Sequence, residues 1–168
     1  MDAYCKVCGI EHTVGGNPQI CANGHETYAN PVPVAVLLQP VTDAAGRIGL
    51  LIGERGVEPS FGLMGLPGGF VDPGDADFEA AALRELREET GIALMREEAA
   101  PELFYSFSDS RYILVFVRSA RVLTLDEVRA RFVPCAECPV VDVAWAPMPL
   151  AFASHTEAAR RWFENKLA

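Results

Sequence analysis

The stretch RELREETGI, Arg84 to Ile92, sets three carboxylates within five residues. Glu85, Glu88 and Glu89 stand at i, i+3 and i+4, so an α-helix carries all three on one face. Like charges so placed repel and destabilise the helix. Either that face lies in water, with Arg84 pairing to Glu88 at i, i+4, or a cation offsets the repulsion. GLPGG, Gly65 to Gly69, precedes the helix and bears on the choice. Gly68 and Gly69 free the backbone to turn carbonyls toward a site over the helix. Carboxylate and carbonyl oxygens are hard ligands that suit Mg2+ or Mn2+. Such cations clamp phosphate oxygens and neutralise the charge that develops when a phosphoanhydride breaks. The glycine loop favours the cation reading.

A second set of chemically able residues is the five cysteines, Cys5, Cys8, Cys21, Cys135 and Cys138. The odd number argues against a disulfide framework and for metal binding. Cys5-x2-Cys8, twelve residues, then Cys21-x3-His25 supplies four ligands with ribbon-like spacing for a tetrahedral Zn2+. Cys5, Cys8, Cys135 and Cys138 form a rival set of two Cys-x-x-Cys knuckles. The first set closes locally and therefore loses less chain entropy. His12 is a weaker substitute ligand.

These groups must be carried by regular elements. Residues 1–30 are rich in Cys, Gly, Asn and His, and form an appendage too small to build a core unaided. NPVP, Asn30 to Pro33, forces an extended linker. VAVLLQPV and RIGLLIGER read as two strands of a hairpin around the turn TDAAG, and GLPGG reads as a loop. The periodicity predicts a helix from Asp77 to Thr90, stopped by Gly91. On a wheel of about 100° per residue, Ala82, Leu83, Leu86 and Thr90 face inward, opposite neither the arginine edge nor the acidic stripe but between them. ELFYSF, RYILVFVRSARV and VVDVAWAPM read as further strands. Thr124 with Glu127, and Ser154 with Glu157, have capping-box spacing, the second opening a final helix to about Lys166. The order of elements is that of a mixed α/β layered domain.

The chain has 168 residues, of which 50% are apolar, enough for one folded domain with a core. No apolar run reaches the roughly 18 residues that span a bilayer, so no membrane partner is expected. MDAYCKVCG has neither a basic nor an apolar signal region, which leaves the cytoplasm as the expected compartment. A net charge of −9 gains nothing from phosphate backbones, so no nucleic-acid partner is expected, and an anionic substrate would need a mediating cation.

GFVDPGDADFEAAALRELREETGI, Gly69 to Ile92, resembles the Nudix box: Gly, five residues, Glu, seven residues, then Arg-Glu-apolar-x-Glu-Glu-x-Gly-apolar. Arg84 to Ile92 match at every fixed position. Asp75 stands in place of the first Glu, with one extra residue before Arg84, so Asp75 or Asp77 must fill that hydrogen-bonding role. The N-terminal cysteines, YANPVPVAVLL and LAFASHTEAARRWFE resemble the subgroup with an N-terminal zinc ribbon. There, His25 takes the place of a cysteine usual at the position of Gly24.

The resemblance implies an α/β/α sandwich with a mixed sheet over residues 31–168, after a zinc ribbon over 1–30. It implies Mg2+-dependent (or Mn2+-dependent) hydrolysis of a nucleoside diphosphate linked to another group. It makes Glu85, Glu88 and Glu89 metal ligands, helped by the Gly69 carbonyl, with Arg84 orienting the glutamates. Relatives often take their general base from a loop beyond the box, which points to Glu137, with Asp142 and Glu157 as alternatives. Relatives are often dimers, so a homodimer is the matching expectation. Members acting on NADH carry a Ser-Gln-Pro-Trp-Pro-Phe-Pro-x-Ser stretch that this chain lacks, so ADP-ribose or FAD is the expected substrate. Phe104, Tyr105, Phe107 and Tyr112 could stack on its rings. The competing function is a nucleotide sensor whose ribbon contacts a partner; the intact glutamate triad favours the enzyme.

Overall fold

The computed structural model describes residues 3–166. Its strands are β1 (His12–Val14), β2 (Gln19–Cys21), β3 (Glu26–Thr27), β4 (Val32–Leu38), β5 (Pro40–Thr42), β6 (Ile48–Glu54), β7 (Met64–Gly65), β8 (Gly68–Phe70), β9 (Glu102–Ser108), β10 (Tyr112–Arg118), β11 (Leu123–Thr124) and β12 (Val141–Ala144). Its helices are α1 (Phe78–Thr90), α2 (Arg96–Ala99), α3 (Leu125–Arg131) and α4 (Ala153–Lys166). Strands β1, β2 and β3 make a small sheet of their own. A second sheet runs β8-β4-β10-β9; a third runs β11-β5-β6-β12, with β7 on β6. β10 is parallel to β4 and antiparallel to β9, so the second sheet is mixed, as expected.

The period of two along the central strands builds two cores at once. Ala35 and Leu37 of β4, Leu51 of β6, and Val115 and Val117 of β10 join Ala82, Leu83 and Leu86 of α1 in one cluster. The alternate residues Val36, Leu38, Leu50, Ile52 and Phe116 join Ala158, Ala159, Trp162 and Phe163 of α4 in the other. The strands are thus covered on both faces, which is why VAVLL and LLI are unbroken apolar runs. The result is the layered α/β/α arrangement.

α1 begins where the sequence places it. Asp77 caps it by accepting the Ala80 N–H, and Gly91, at φ 74°, ends it with its N–H on the Arg87 carbonyl. The Thr124–Glu127 capping box is formed on α3. Three expectations are corrected. VAVLLQPV is not one strand of a hairpin: it divides at Gln39 into β4 and β5, which belong to different sheets, and β5 alone pairs with β6. Pro40 has no N–H with which to continue the β4 ladder, while the Gln39 side chain is buried and donates to the Pro40 and Arg121 carbonyls. GLPGG is not a free loop; its ends lie in β7 and β8. α4 starts at Ala153, so Ser154 lies inside its first turn rather than capping it, and Glu157 pairs with Arg160 and Arg161. The single-turn α2 is too short to leave a periodic signal.

Candidate active site

Gly68 and Gly69 matter first for what they lack. β8 lies against β4 so closely that a Cβ on Gly68 would sit 2.4 Å from the Ala35 carbonyl oxygen. A Cβ on Gly69 would sit 2.7 Å from the Glu85 carboxylate. The glycines therefore let the first acid of α1 pack directly against the β8 backbone. Gly68 also donates its N–H to Glu89 Oε2 at 3.1 Å.

Arg84 is the hub of the arrangement. Its Nη1 donates to Glu85 at 2.8 Å and to Glu88 at 2.9 Å, and its Nη2 donates to the Phe70 carbonyl and to Asp75. Asp75, whose side chain is 7% exposed, takes Nε as well. It thus fills the role of the missing glutamate; Asp77 instead caps α1 and pairs with Arg96. The hydrogen bonds from Arg84 hold the Asp75 carboxyl below the usual carboxylate range. Asp75 is a fixed anion that orients Arg84, and Arg84 in turn orients Glu85 and Glu88.

The glutamates differ in environment. Glu88 is half exposed, whereas the Glu85 side chain is 13% exposed. Burial raises the Glu85 carboxyl above its ordinary value against the pull of Arg84, and the charges of Glu88 and Glu137 add to the rise. Burial pushes Glu89 from 4.5 up to about 8, against the Gly68 N–H and the charge of Arg55 and with the charges of Glu85 and Glu137 adding. Among the described residues the Gly68 N–H is the one hydrogen bond the Glu89 carboxylate accepts. A set of partly buried carboxylates with too few positive partners, made entirely of hard oxygen donors, fits a divalent cation such as Mg2+.

Gly68, Gly69, Arg84, Glu85, Glu88 and Glu89 line one cleft of about 850 Å3. Glu137 lines it too, brought there by the loop before β12, whose Ala136 carbonyl packs against Gly56 and whose Glu137 carbonyl accepts the Gly56 N–H. Asp142 and Glu157 do not line the cleft: the Asp142 carboxylate accepts its neighbour's N–H, and Glu157 is on the surface of α4. Of the four aromatics singled out, Phe107 and Tyr112 line the cleft, while Phe104 and Tyr105 pack against the α4 core. Phe70, Arg55, Arg111 and His155 also line it. Sequence spacing missed them because they come from distant segments; exposed Phe70 beside the glycine pair was the one local hint.

The second candidate metal site is local. Cys5, Cys8, Cys21 and His25 bring their ligand atoms within 4.8 Å of one another. Cys8 and Cys21 sulfurs are 3.8 Å apart, and His25 Nδ1 is 3.7 Å and 3.6 Å from the sulfurs of Cys5 and Cys21. Zn–S bonds of about 2.3 Å and Zn–N bonds of about 2.1 Å give tetrahedral edges of about 3.8 Å and about 3.6 Å, so the donors fit Zn2+. Burial raises the Cys5 thiol, but the Cys8 and Val7 N–H groups and the neighbouring thiols bring it down to about 6, favouring the thiolate. The rival set is not assembled. Cys135 donates to the Glu89 carbonyl, and burial, with the Glu89 charge, pushes the Cys138 thiol up to about 12. His12 meets Thr27 instead of the cluster.

A family model, the NUDIX domain, matches residues 31–165. The chain belongs to the NUDIX family. A NUDIX hydrolase from Nitrosomonas europaea is similar in structure, with a TM-score of 0.69 and 21% identity over 99% of this chain and 93% of that one. The NUDIX domain of Shewanella oneidensis NrtR, solved with ADP ribose, has a TM-score of 0.59 and 22% identity over 84% of this chain and 91% of that one. An Ap4A hydrolase from C. elegans has a TM-score of 0.59 and 19% identity over 81% and 98% of the two chains. At these identities the likeness is one of fold. Among curated proteins, none matches significantly. As a NUDIX hydrolase the chain acts on phosphoanhydride bonds, and enzymes of this family use divalent metals. Among the described residues no helix is long and apolar enough to cross a membrane.

Two predictions follow from these geometries. Purified protein carries one tightly held Zn2+ per chain by metal analysis; Cys21→Ser loses it and Cys135→Ser keeps it, and the reverse pattern would restore the rival set. At the catalytic cleft, a Glu89 pKa raised from 4.5 to about 8 means that the metal-free native state binds more protons than the unfolded state in that window. Metal-free stability therefore falls as pH rises through it. Mg2+ must expel the same proton, so Mg2+ affinity rises up to about tenfold per pH unit toward pH 8 and then levels. Calorimetric titration at several pH values checks this; a flat affinity from about pH 6 to 8 contradicts it.

Proposed function

We propose that the protein is a Mg2+-dependent pyrophosphohydrolase that cleaves an ADP-linked diphosphate, ADP-ribose or FAD, to AMP and the phosphorylated other half. The observation that carries this reading is one cleft that joins four carboxylates, Glu85, Glu88, Glu89 and Glu137, to the aromatic rings of Phe70, Phe107 and Tyr112. Glu85, Glu88, Glu89 and the Gly69 carbonyl would hold Mg2+ or Mn2+. The bound cations would supply charge neutralisation at the diphosphate oxygens. Arg84, locked by Asp75, holds Glu85 and Glu88 in place. Glu137 takes a proton from the attacking water, being the one of the three candidate bases that lines the cleft. Phe70 is 54% and Phe107 41% exposed, and Tyr112 stands with its ring centroid 6.2 Å from that of Phe70, so flat apolar surface is open to a base or an isoalloxazine.

The ribbon of residues 1–30, held by Zn2+, precedes a hydrolase domain of residues 31–168 in this reading. None of the five cysteines forms a disulfide among the described residues, which suits a reducing cytoplasm.

The test is turnover of ADP-ribose, FAD, NADH, diadenosine polyphosphates and nucleoside triphosphates with Mg2+, with products identified. ADP-ribose or FAD is expected to exceed every nucleoside triphosphate in kcat/KM by about tenfold or more, since a terminal phosphate leaves the second half of the cleft without contacts. A nucleoside triphosphate as the best substrate would overturn the substrate class and leave the reaction type.

A further inference from the structure

Two cleft-lining groups, His155 and Arg55, have no part in the chemistry described above. His155 is 5% exposed, and its Nδ1 accepts the Leu66 N–H at 3.2 Å. A neutral imidazole so bonded carries its proton on Nε2. Burial, with the charge of Arg55 adding, lowers its pKa to about 3, so the ring stays neutral. Nε2 meets no acceptor among the described residues. Gln39 Oε1 is the one fully enclosed side-chain polar atom there without a partner, so Nε2 is not fully enclosed, and the residue that carries it lines the cleft.

Arg55 is held as firmly. Its Nε donates to the Pro59 carbonyl at 2.8 Å, and its guanidinium lies 4.9 Å over the Phe152 ring. That ring meets His155 at 5.0 Å and 64°. A Cβ built on Gly65 would stand 3.8 Å from His155 Nδ1 and 3.9 Å from Arg55 Cδ, so the two side chains flank the same glycine. No carboxylate comes within ion-pair distance of Arg55 among the described residues, whereas Arg84 is taken up by three acids.

We propose that Arg55 and His155 form a phosphate subsite, the guanidinium and the Nε2–H donating to non-bridging diphosphate oxygens that the glutamate-bound cations do not hold. The inference rests on the reading of the substrate as a diphosphate. Both groups are donors without acceptor capacity in the cleft. One is a fixed cation whose fork suits phosphate geometry, and the other is a neutral donor. In a chain of net charge −9, an anionic substrate needs such local positive partners.

Calorimetric binding of inorganic pyrophosphate at saturating Mg2+ tests it, with wild type, Arg55→Gln and His155→Asn. Asn keeps an acceptor near the Leu66 N–H but has no donor at the Nε2 position. Each variant is expected to bind pyrophosphate about tenfold more weakly, with the Mg2+ midpoint measured without pyrophosphate unchanged. Wild-type affinity, within about twofold, in Arg55→Gln overturns the subsite, as does a Mg2+ midpoint shifted by the same factor, which would make Arg55 only a counter-charge for Glu89. If His155→Asn melts early, Arg55→Gln decides alone. Wild type that fails to bind pyrophosphate sinks the diphosphate reading itself and is thereby told apart from failure of the subsite.

Discussion

The mutual repulsion of carboxylates drawn out of water is the constraint on which the rest of the structure depends. A buried charge is stable only when paired and hydrogen-bonded. Here three acids on one face of α1, with Glu137 facing them, are served by Arg84, by Arg87 on half-exposed Glu88 alone, and by one backbone N–H. Glu89 responds by holding a proton up to about pH 8, and Arg84 is fixed by Asp75 so that its two donors stay on Glu85 and Glu88. The site is a charge imbalance maintained by the fold, and a divalent cation with an anionic ligand restores the balance.

Maintaining it requires a rigid floor. Leu83 and Leu86 root α1 in the same core as Leu37, Leu51 and Val117, so the acids cannot swing away into solvent. β8 adds the other side of the vice: side-chain-free residues allow it to lie against both β4 and Glu85. α4, on the far face of the sheet, reaches the same place through His155, whose ring holds the Leu66 N–H two residues before Gly68. Both covering helices thus meet at the glycine strand, which is where the fold turns packing into positioning.

What was legible in the sequence follows from how local each feature is. The glutamate triad, Arg84, the Asp77 cap and the Gly91 stop all belong to a single helix whose geometry follows from 3.6 residues per turn. The Cys5, Cys8, Cys21 and His25 cluster closes over a short loop and could be read from spacing. The split of VAVLLQPV at Gln39 could not, because both halves are equally apolar and only partners distant in sequence, β10 for one and β6 for the other, separate them. Glu137, from a loop more than forty residues beyond α1, needed the family resemblance to single it out. Phe70 adjoins Gly69, but nothing in the spacing of Arg55 and His155 says that they share its cleft; tertiary packing brings them there.

The central claim is that the α1 carboxylates act together as the seat of catalytic cations. Turnover of the best substrate by Glu89→Gln, at saturating Mg2+ and with folding checked by circular dichroism and melting, tests it most directly. The account predicts a native-like fold and a kcat lowered by about a hundredfold or more, since the glutamine keeps the shape but loses the ligand charge. A folded Glu89→Gln that turns over within about twofold of wild type would contradict it.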